Sequence, residues 1–164
     1  MRTVELELSR SSVRAAIDEL RAIEADLAER CDRFCERLSD IGVDVAASVV
    51  REDTGELRSG IYAESDGPGS WLVVSTGAYA AFVEFGTGVV GQGTYPGKTP
   101  PGWGYDERRT PEAHDPTDPT RWYYYDREGN LGTTRGQTAN AYMATAADAM
   151  RQRALDIARE VFEL

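Results

Sequence analysis

The stretch Val83–Gly93, VEFGTGVVGQG, sets Gly86, Gly88 and Gly91 at G-x-G-x-x-G spacing directly after an apolar run. In a dinucleotide-binding finger such glycines permit a tight turn and close approach of a pyrophosphate, which rests on the N-terminus of the helix that follows. That chemistry needs a helix opening at the third glycine. QGTYPGKTPPGWG follows instead, and its paired prolines and four further glycines cannot start one. YPGKTP, with Gly97, Lys98 and Thr99, imitates the end of a phosphate loop. The glycine such a loop requires five positions before Gly97 is Gln92, and no helical pattern follows Thr99. Lys98 is expected to be a solvated loop charge.

The single histidine, His114, lies near Glu112, Asp115 and Asp118. Acid–base or metal chemistry would use those residue types, but zinc needs three or four convergent ligands. His114 is therefore expected to be an exposed loop residue. Cys31 and Cys35 lie four apart in a helical pattern, a poor geometry for a disulfide, and are expected to be core fillers in a chain made in a reducing cytoplasm. No Ser-His-Asp, Cys-His or G-x-S-x-G pattern stands out. Most carboxylates fall on polar helix faces, where solvation explains them. WYYY, Trp122–Tyr125, has the aromatics to stack on bases, without a basic patch beside it. Alternation puts Trp122 and Tyr124 on one face of a strand and Tyr123 and Tyr125 on the other.

The elements that must carry these residues follow from length and pattern. The chain has 164 residues, a formal net charge of −10 and 41% hydrophobic residues, which suits one globular domain, 1–164. Its acidity disfavours general nucleic-acid binding, and no apolar run reaches membrane-spanning length. Val4, Leu6 and Leu8 alternate as a short strand. Val13, Ile17, Leu20, Ile23, Leu27, Cys31, Phe34, Leu38 and Ile41 recur at steps of three and four, predicting a long amphipathic helix over 14–41 capped by Ser11 or Ser12. Gly42 is expected to loosen or kink it, with the helix continuing to Val50. Hairpins are predicted at 61–64 with 71–75, and at 122–125 with 131–134. Residues 78–85 read as a helical turn leading into a strand, and 89–120 as a long surface loop inserted into the domain, of which Gly93–Thr117 is expected to be dispensable for the fold but needed for assembly. A second helix is predicted from Thr138, with Met143, Ala147, Met150, Ala154, Ile157 and Val161 as its stripe. Strands not separated by crossover helices give an α+β fold: an antiparallel sheet of hairpins packed against a long N-terminal and a C-terminal helix.

Three separated pieces carry a resemblance: DTGELRSGI (53–61), AYAAFVEFGTG (78–88) and WYYYDREGNLGTTRGQTANAYMATA (122–146). In this order they resemble the head–tail joining proteins of long-tailed bacteriophages, also called neck, tail-completion or minor capsid proteins. That family joins T-G-x-L-R, Y-A-x-x-V-E-F-G-T and a helix start R-P-F-M/L-x-x-A. The third motif departs here, reading Asn140-Ala141-Tyr142-Met143 without the proline. The resemblance implies a structural virion protein at the head–tail junction of a phage or prophage. It implies a homo-oligomeric ring, commonly a hexamer, whose partners are a head-side connector or stopper and a tail terminator or tail tube protein. It implies non-specific passage of DNA through the ring, no cofactor, no metal and no catalysis. The family-motif and assembly candidates are Thr54, Gly55, Leu57, Arg58, Tyr79, Val83, Glu84, Phe85, Gly86, Thr87, Gly88, Trp122, Tyr124, Arg135, Gly136, Tyr142 and Met143. Among them Gly55 supplies a turn after the first helix, Leu57 docks in the core, and Arg58 pairs with Glu84. Tyr79, Val83 and Phe85 serve core or interface, and Gly86 and Gly88 serve backbone geometry. The alternatives are a monomeric protein-binding module using the aromatic hairpin, and an enzyme using the acidic loop near His114.

Overall fold

The computed structural model describes residues 9–51, 55–106, 108, 111–126 and 128–163. The strand expected at Val4–Leu8 and the candidate Thr54 lie outside them. Helix α1 spans Arg10–Val49, about 60 Å at 1.5 Å per residue. Its cap is Ser9, whose hydroxyl accepts from the Ser12 amide at 3.2 Å, so the helix begins before Ser11 and Ser12 rather than at them. It runs unbroken through Gly42. That glycine serves packing, not a kink: a Cβ there would lie 2.7 Å from Met150 Sδ and 2.8 Å from Val73 Cγ2. The C-terminal helix α5, Tyr142–Phe162, packs antiparallel on α1. Arg37 bonds Glu160 at 2.5 Å, and the Phe34 and Phe162 rings sit 6.1 Å apart.

Between them the chain forms α2 (Glu56–Ser59), β1 (Ile61–Gly67), β2 (Ser70–Ser75), α3 (Ala80–Phe85) and α4 (Gly88–Gly91), then β3 (His114–Asp115), β4 (Asp118–Tyr125) and β5 (Leu131–Thr134). The α+β class stands, with the hairpins divided between a two-stranded β1–β2 sheet and a three-stranded β3–β4–β5 sheet, both antiparallel. No strand follows α3; Gly86 ends the helix and Thr87 makes a single bridge to Gln137. Among the described residues no helix is long and apolar enough to cross a membrane.

The first hairpin lies on α1. Asp32 Oδ1 accepts from the Gly69 amide at 3.0 Å and from Trp71 Nε1 at 3.2 Å, and Cys35 Sγ donates to the Gly69 carbonyl at 3.2 Å. Cys35 thus fixes a turn, while Cys31 is exposed, so neither is a core filler. Burial first, then Cys31 and Asp32 nearby, push the Cys35 thiol above its ordinary value. Ala46, Val50, Ile61, Tyr142 and Ala146 form the core, joined by Val43, Leu57, Val73, Val83 and Met143. Each large side chain buried there contributes about 1.5–3 kcal/mol. Gly55, in the left-handed region at φ 77°, turns the chain into α2 and carries Leu57 to this core, as its pattern suggested.

Gly42→Val should lower stability by about 1–3 kcal/mol through overpacking against Met150 and Val73, despite better intrinsic helix propensity. Urea denaturation followed by circular dichroism checks this; a neutral or stabilising result would show that the α1–α5 contact has slack.

Candidate functional site

The conspicuous site is the junction where the second and third motifs meet. Glu84, on α3, is 5% exposed. Its two carboxylate oxygens accept from the Met143 amide at 2.9 Å and the Ala144 amide at 3.0 Å. These are orphan donors of the first turn of α5, whose own N-cap residue, Ala141, makes no side-chain cap bond. A carboxylate from another segment therefore caps α5, where the helix dipole favours negative charge. The expected Arg58–Glu84 pair does not form; the α5 amides occupy Glu84 instead. Backbone bonds join the same pieces, Asn140 to the Val83 carbonyl at 2.8 Å and Ala141 to the Glu84 carbonyl at 3.1 Å.

Asn140 closes the other side. Its amide donates to the Val49 carbonyl at 3.1 Å, and its oxygen accepts from the Arg51 amide at 2.9 Å, sealing the end of α1. Asn140 and Ala141 are committed to these contacts, Arg51 donates to Thr138 Oγ1 at 2.9 Å and the Ala139 amide donates to Thr94 Oγ1 at 2.8 Å, so α5 begins at Tyr142 rather than Thr138. Ala141 is left-handed at φ 52°. Proline, locked near φ −65°, cannot adopt that conformation, which accounts for the absent proline in the third motif. Tyr142 is fully buried, and its hydroxyl lies 2.8 Å from Ser75 Oγ; burial holds the phenol above its ordinary value, partly offset by that bond.

The glycines serve backbone geometry. Gly86 sits at φ 76°, where a Cβ would lie 2.7 Å from the Ala139 amide nitrogen and 2.8 Å from the Gln137 carbonyl. Gly88 lies under the Trp122 ring, and Gly136, at φ 100°, faces the Thr87 carbonyl too closely for any side chain. α4 occupies Gly88–Gly91, but no helix opens after Gly91, consistent with the absence of a phosphate finger.

The 89–120 segment is partly structured and partly packed inward. It holds α4, a 3₁₀ turn, β3 and the start of β4. Trp103 donates to the Gly86 carbonyl at 3.1 Å, with its ring 5.2 Å from Phe85 and 5.6 Å from Phe82. Tyr95 meets Phe85 edge-on at 4.8 Å; burial first, then the neighbouring Glu84, pushes its phenol up. These contacts argue against a loop dispensable for the fold. His114 is half-buried in β3 rather than an exposed loop residue. Its Nδ1 lies 2.6 Å from the Pro119 carbonyl, and its ring meets Tyr105 and Trp122 edge-on.

Together Phe82, Phe85, Trp103, Tyr105, Trp122 and Tyr124 line an open aromatic cleft of about 950 Å³. Trp122 and Tyr124 face it, as the alternation implied; Tyr125 and Tyr79 are largely exposed. Arg135 holds Asp118 at 3.2 Å and Thr120 Oγ1 at 3.1 Å, bracing β4. Among the described residues no His, Cys, Asp and Glu cluster could hold a metal ion. The structure brings Val83, Glu84, Phe85, Tyr142 and Met143 into one junction, and Gly86, Thr87, Gly88, Trp122 and Gly136 into the adjoining joint. Leu57 joins the same core, while Arg58 and Tyr79 stand on the surface. Sequence patterns missed Asn140, Tyr95 and Trp103, whose partners are distant in the chain.

Residues 14–86 match the family model described as "Bacteriophage HK97-gp10, putative tail-component". That stretch is similar to a phage tail-component family. The match covers under half of the chain, from the first turns of α1 to the glycine after α3, and so includes Glu84. It bears out the resemblance to phage head–tail joining proteins and supports a structural role in a phage particle. No curated protein and no solved structure matches the chain significantly.

Glu84→Ala should cost about 2–3 kcal/mol, because two α5 amides lose a charged acceptor in a buried place, whereas Glu84→Gln should lose about half of that. Ala141→Gly should stabilise by about 1 kcal/mol by relieving the left-handed backbone, and Ala141→Pro should prevent folding. Denaturant titrations of Glu84→Ala, Glu84→Gln and Ala141→Gly give their order directly, and circular dichroism shows whether Ala141→Pro folds. The second sheet should also be acid-sensitive. Hydrogen bonds hold the carboxyls below their ordinary value: from Thr117 to Asp115, from Thr120 to Asp118, and from Asn130 to Asp126. A depressed folded-state pKa means the unfolded chain binds more protons. This stabilisation is therefore complete above the ordinary aspartate value and lost as pH falls through the lower folded value. The difference in tryptophan emission between the wild type and Trp122→Phe, followed from pH 5 to 2, should change before the far-ultraviolet helix signal does.

Proposed function

We propose that the protein is a structural component of a tailed-phage virion that forms a homo-oligomeric ring at the head–tail junction, through which the genome passes. The observation that carries this reading is the match of residues 14–86 to a phage tail-component family. The motif order supports it: the last matched helix, α3, supplies the carboxylate that starts α5, so matched and unmatched parts form one unit. A hexamer suits the reading, with a connector or stopper on the head side and a tail terminator or tube on the other.

The surface is consistent with assembly. Tyr79, at the aromatic cleft, and Tyr125 are largely exposed, and aromatic side chains are enriched at protein interfaces. A net charge of −10 suits a conduit that must release DNA, since a strongly basic lumen would retain the passing phosphates. In this role the chain needs no cofactor and performs no catalysis. A protein-binding module is the second reading, favoured by the same cleft; it would use that surface on one partner without forming a ring.

Mass spectrometry of purified virions should detect the protein, and electron cryomicroscopy of the neck should show its helix pair repeated around the axis. Absence from purified particles would sink the proposal. Presence without rotational repetition would favour the binding module.

A further inference from the structure

The apolar stripe of α1 is longer than the helix that covers it. α5 has 21 residues against the 40 of α1, and its last described contacts fall at Arg30, whose guanidinium reaches the Val161 carbonyl at 3.3 Å. Beyond that point the large apolar members of the stripe are exposed, Val13 43%, Ile17 44%, Leu20 54% and Leu27 52%, whereas Ala16 at its edge is buried and Ile23 is half-buried. Residues 13, 17, 20, 24, 27, 31, 34, 38 and 41 alternate steps of four and three, the spacing of a coiled-coil seam. Glu24 is the one charged member. The lower part of this seam, at Phe34, already meets α5. Its upper part carries the same residue types, with the large ones exposed.

The flanks of the exposed part differ in charge. At 100° per residue, Arg14 and Arg21 border the stripe on one side and Glu19 and Asp26 on the other. The ion pairs that the structure gives these residues, Arg21 with Asp18 at 3.7 Å and Asp26 with Arg30 at 3.1 Å, stay within the helix. Two such helices side by side and parallel would set the basic edge of one against the acidic edge of the other. Antiparallel helices would set like against like. Cys31, exposed and on the seam, would then face its own counterpart.

We propose that the first turns of α1, residues 13–27, are an assembly arm that packs in parallel on the same segment of a second copy of this chain. The inference rests on the self-assembly part of the proposed function and assigns it a surface. Parallel arms related by rotation about one axis are compatible with cyclic symmetry.

The test uses the full chain. Leu20→Glu with Leu27→Glu should reduce the mass seen by light scattering to that of a monomer, with an unchanged thermal midpoint, because both side chains are exposed. Arg14→Glu with Arg21→Glu should also weaken self-association, and mixing with a Glu19→Arg, Asp26→Arg copy should restore it. In a Cys35→Ser background, mild oxidation should join copies through Cys31. Self-association of the Leu20, Leu27 variant equal to wild type would overturn the proposal, as would a wild type that stays monomeric at every concentration. If charges at Val4 and Leu6 release an association that the wild type lacks, the stripe belongs to the chain's own N-terminal segment, and the proposal falls. A neck ring that still forms with the Leu20, Leu27 variant would remove the arm and leave the ring intact.

Discussion

The fold depends on one buried carboxylate. Glu84 stands where α5 has no cap of its own, and it supplies both acceptors that the first turn requires. An unpaired charge this deep would be strongly unfavourable, and so would a buried helix start with orphan amides. Each solves the other. Because the pairing is geometric, it also fixes where α5 begins. That start decides which faces of Tyr142, Ala146, Ile157 and Val161 turn inward. Asn140 performs the matching task at the end of α1, so the two long helices are registered by side chains at their adjoining ends.

Beside this junction lies a joint made almost wholly of backbone. Thr87 and Gln137 exchange amide–carbonyl bonds at 2.9 and 3.1 Å, and Gly86, Gly88 and Gly136 remove the side chains that would keep the two segments apart. The Trp122 ring lies over Gly88, which couples the second sheet to the helical core. The glycine spacing that suggests a nucleotide finger therefore has a mechanical explanation. Close backbone approach is the shared requirement, but its partner here is another segment of the same chain.

Local features were legible in the sequence and distant ones were not. The α1 stripe, both hairpins and the αL turn at Gly55 follow from period and turn chemistry, which neighbouring residues determine. The start of α5 leaves no local mark, because its cap comes from Glu84, far away in the chain. Gly42 looked like a break because its role appears only when Met150 and Val73 are set against it. The 89–120 segment looked peripheral because Gly and Pro dominate it, yet its Tyr95 and Trp103 complete the aromatic packing around Phe85. A two-residue strand leaves no periodic trace, so nothing in the local sequence marks His114 as part of β3. Of the site, the motif residues were found as types; that Val83 to Phe85 meets Tyr142 and Met143 was visible only in three dimensions.

The antiparallel pairing of α1 with α5 also sets an order of events during synthesis. Tyr142, Ala146 and Ile157 come late in the chain, and they bury the face that α1 presents from the beginning. Contacts this far apart in sequence form slowly and only after the intervening loop has closed. Until residues 142–162 have left the ribosome, a 40-residue amphipathic helix must wait with its apolar side in water. Nascent chains from neighbouring ribosomes on one message expose the same helix at the same moment, so premature pairing between copies competes with correct closure within each.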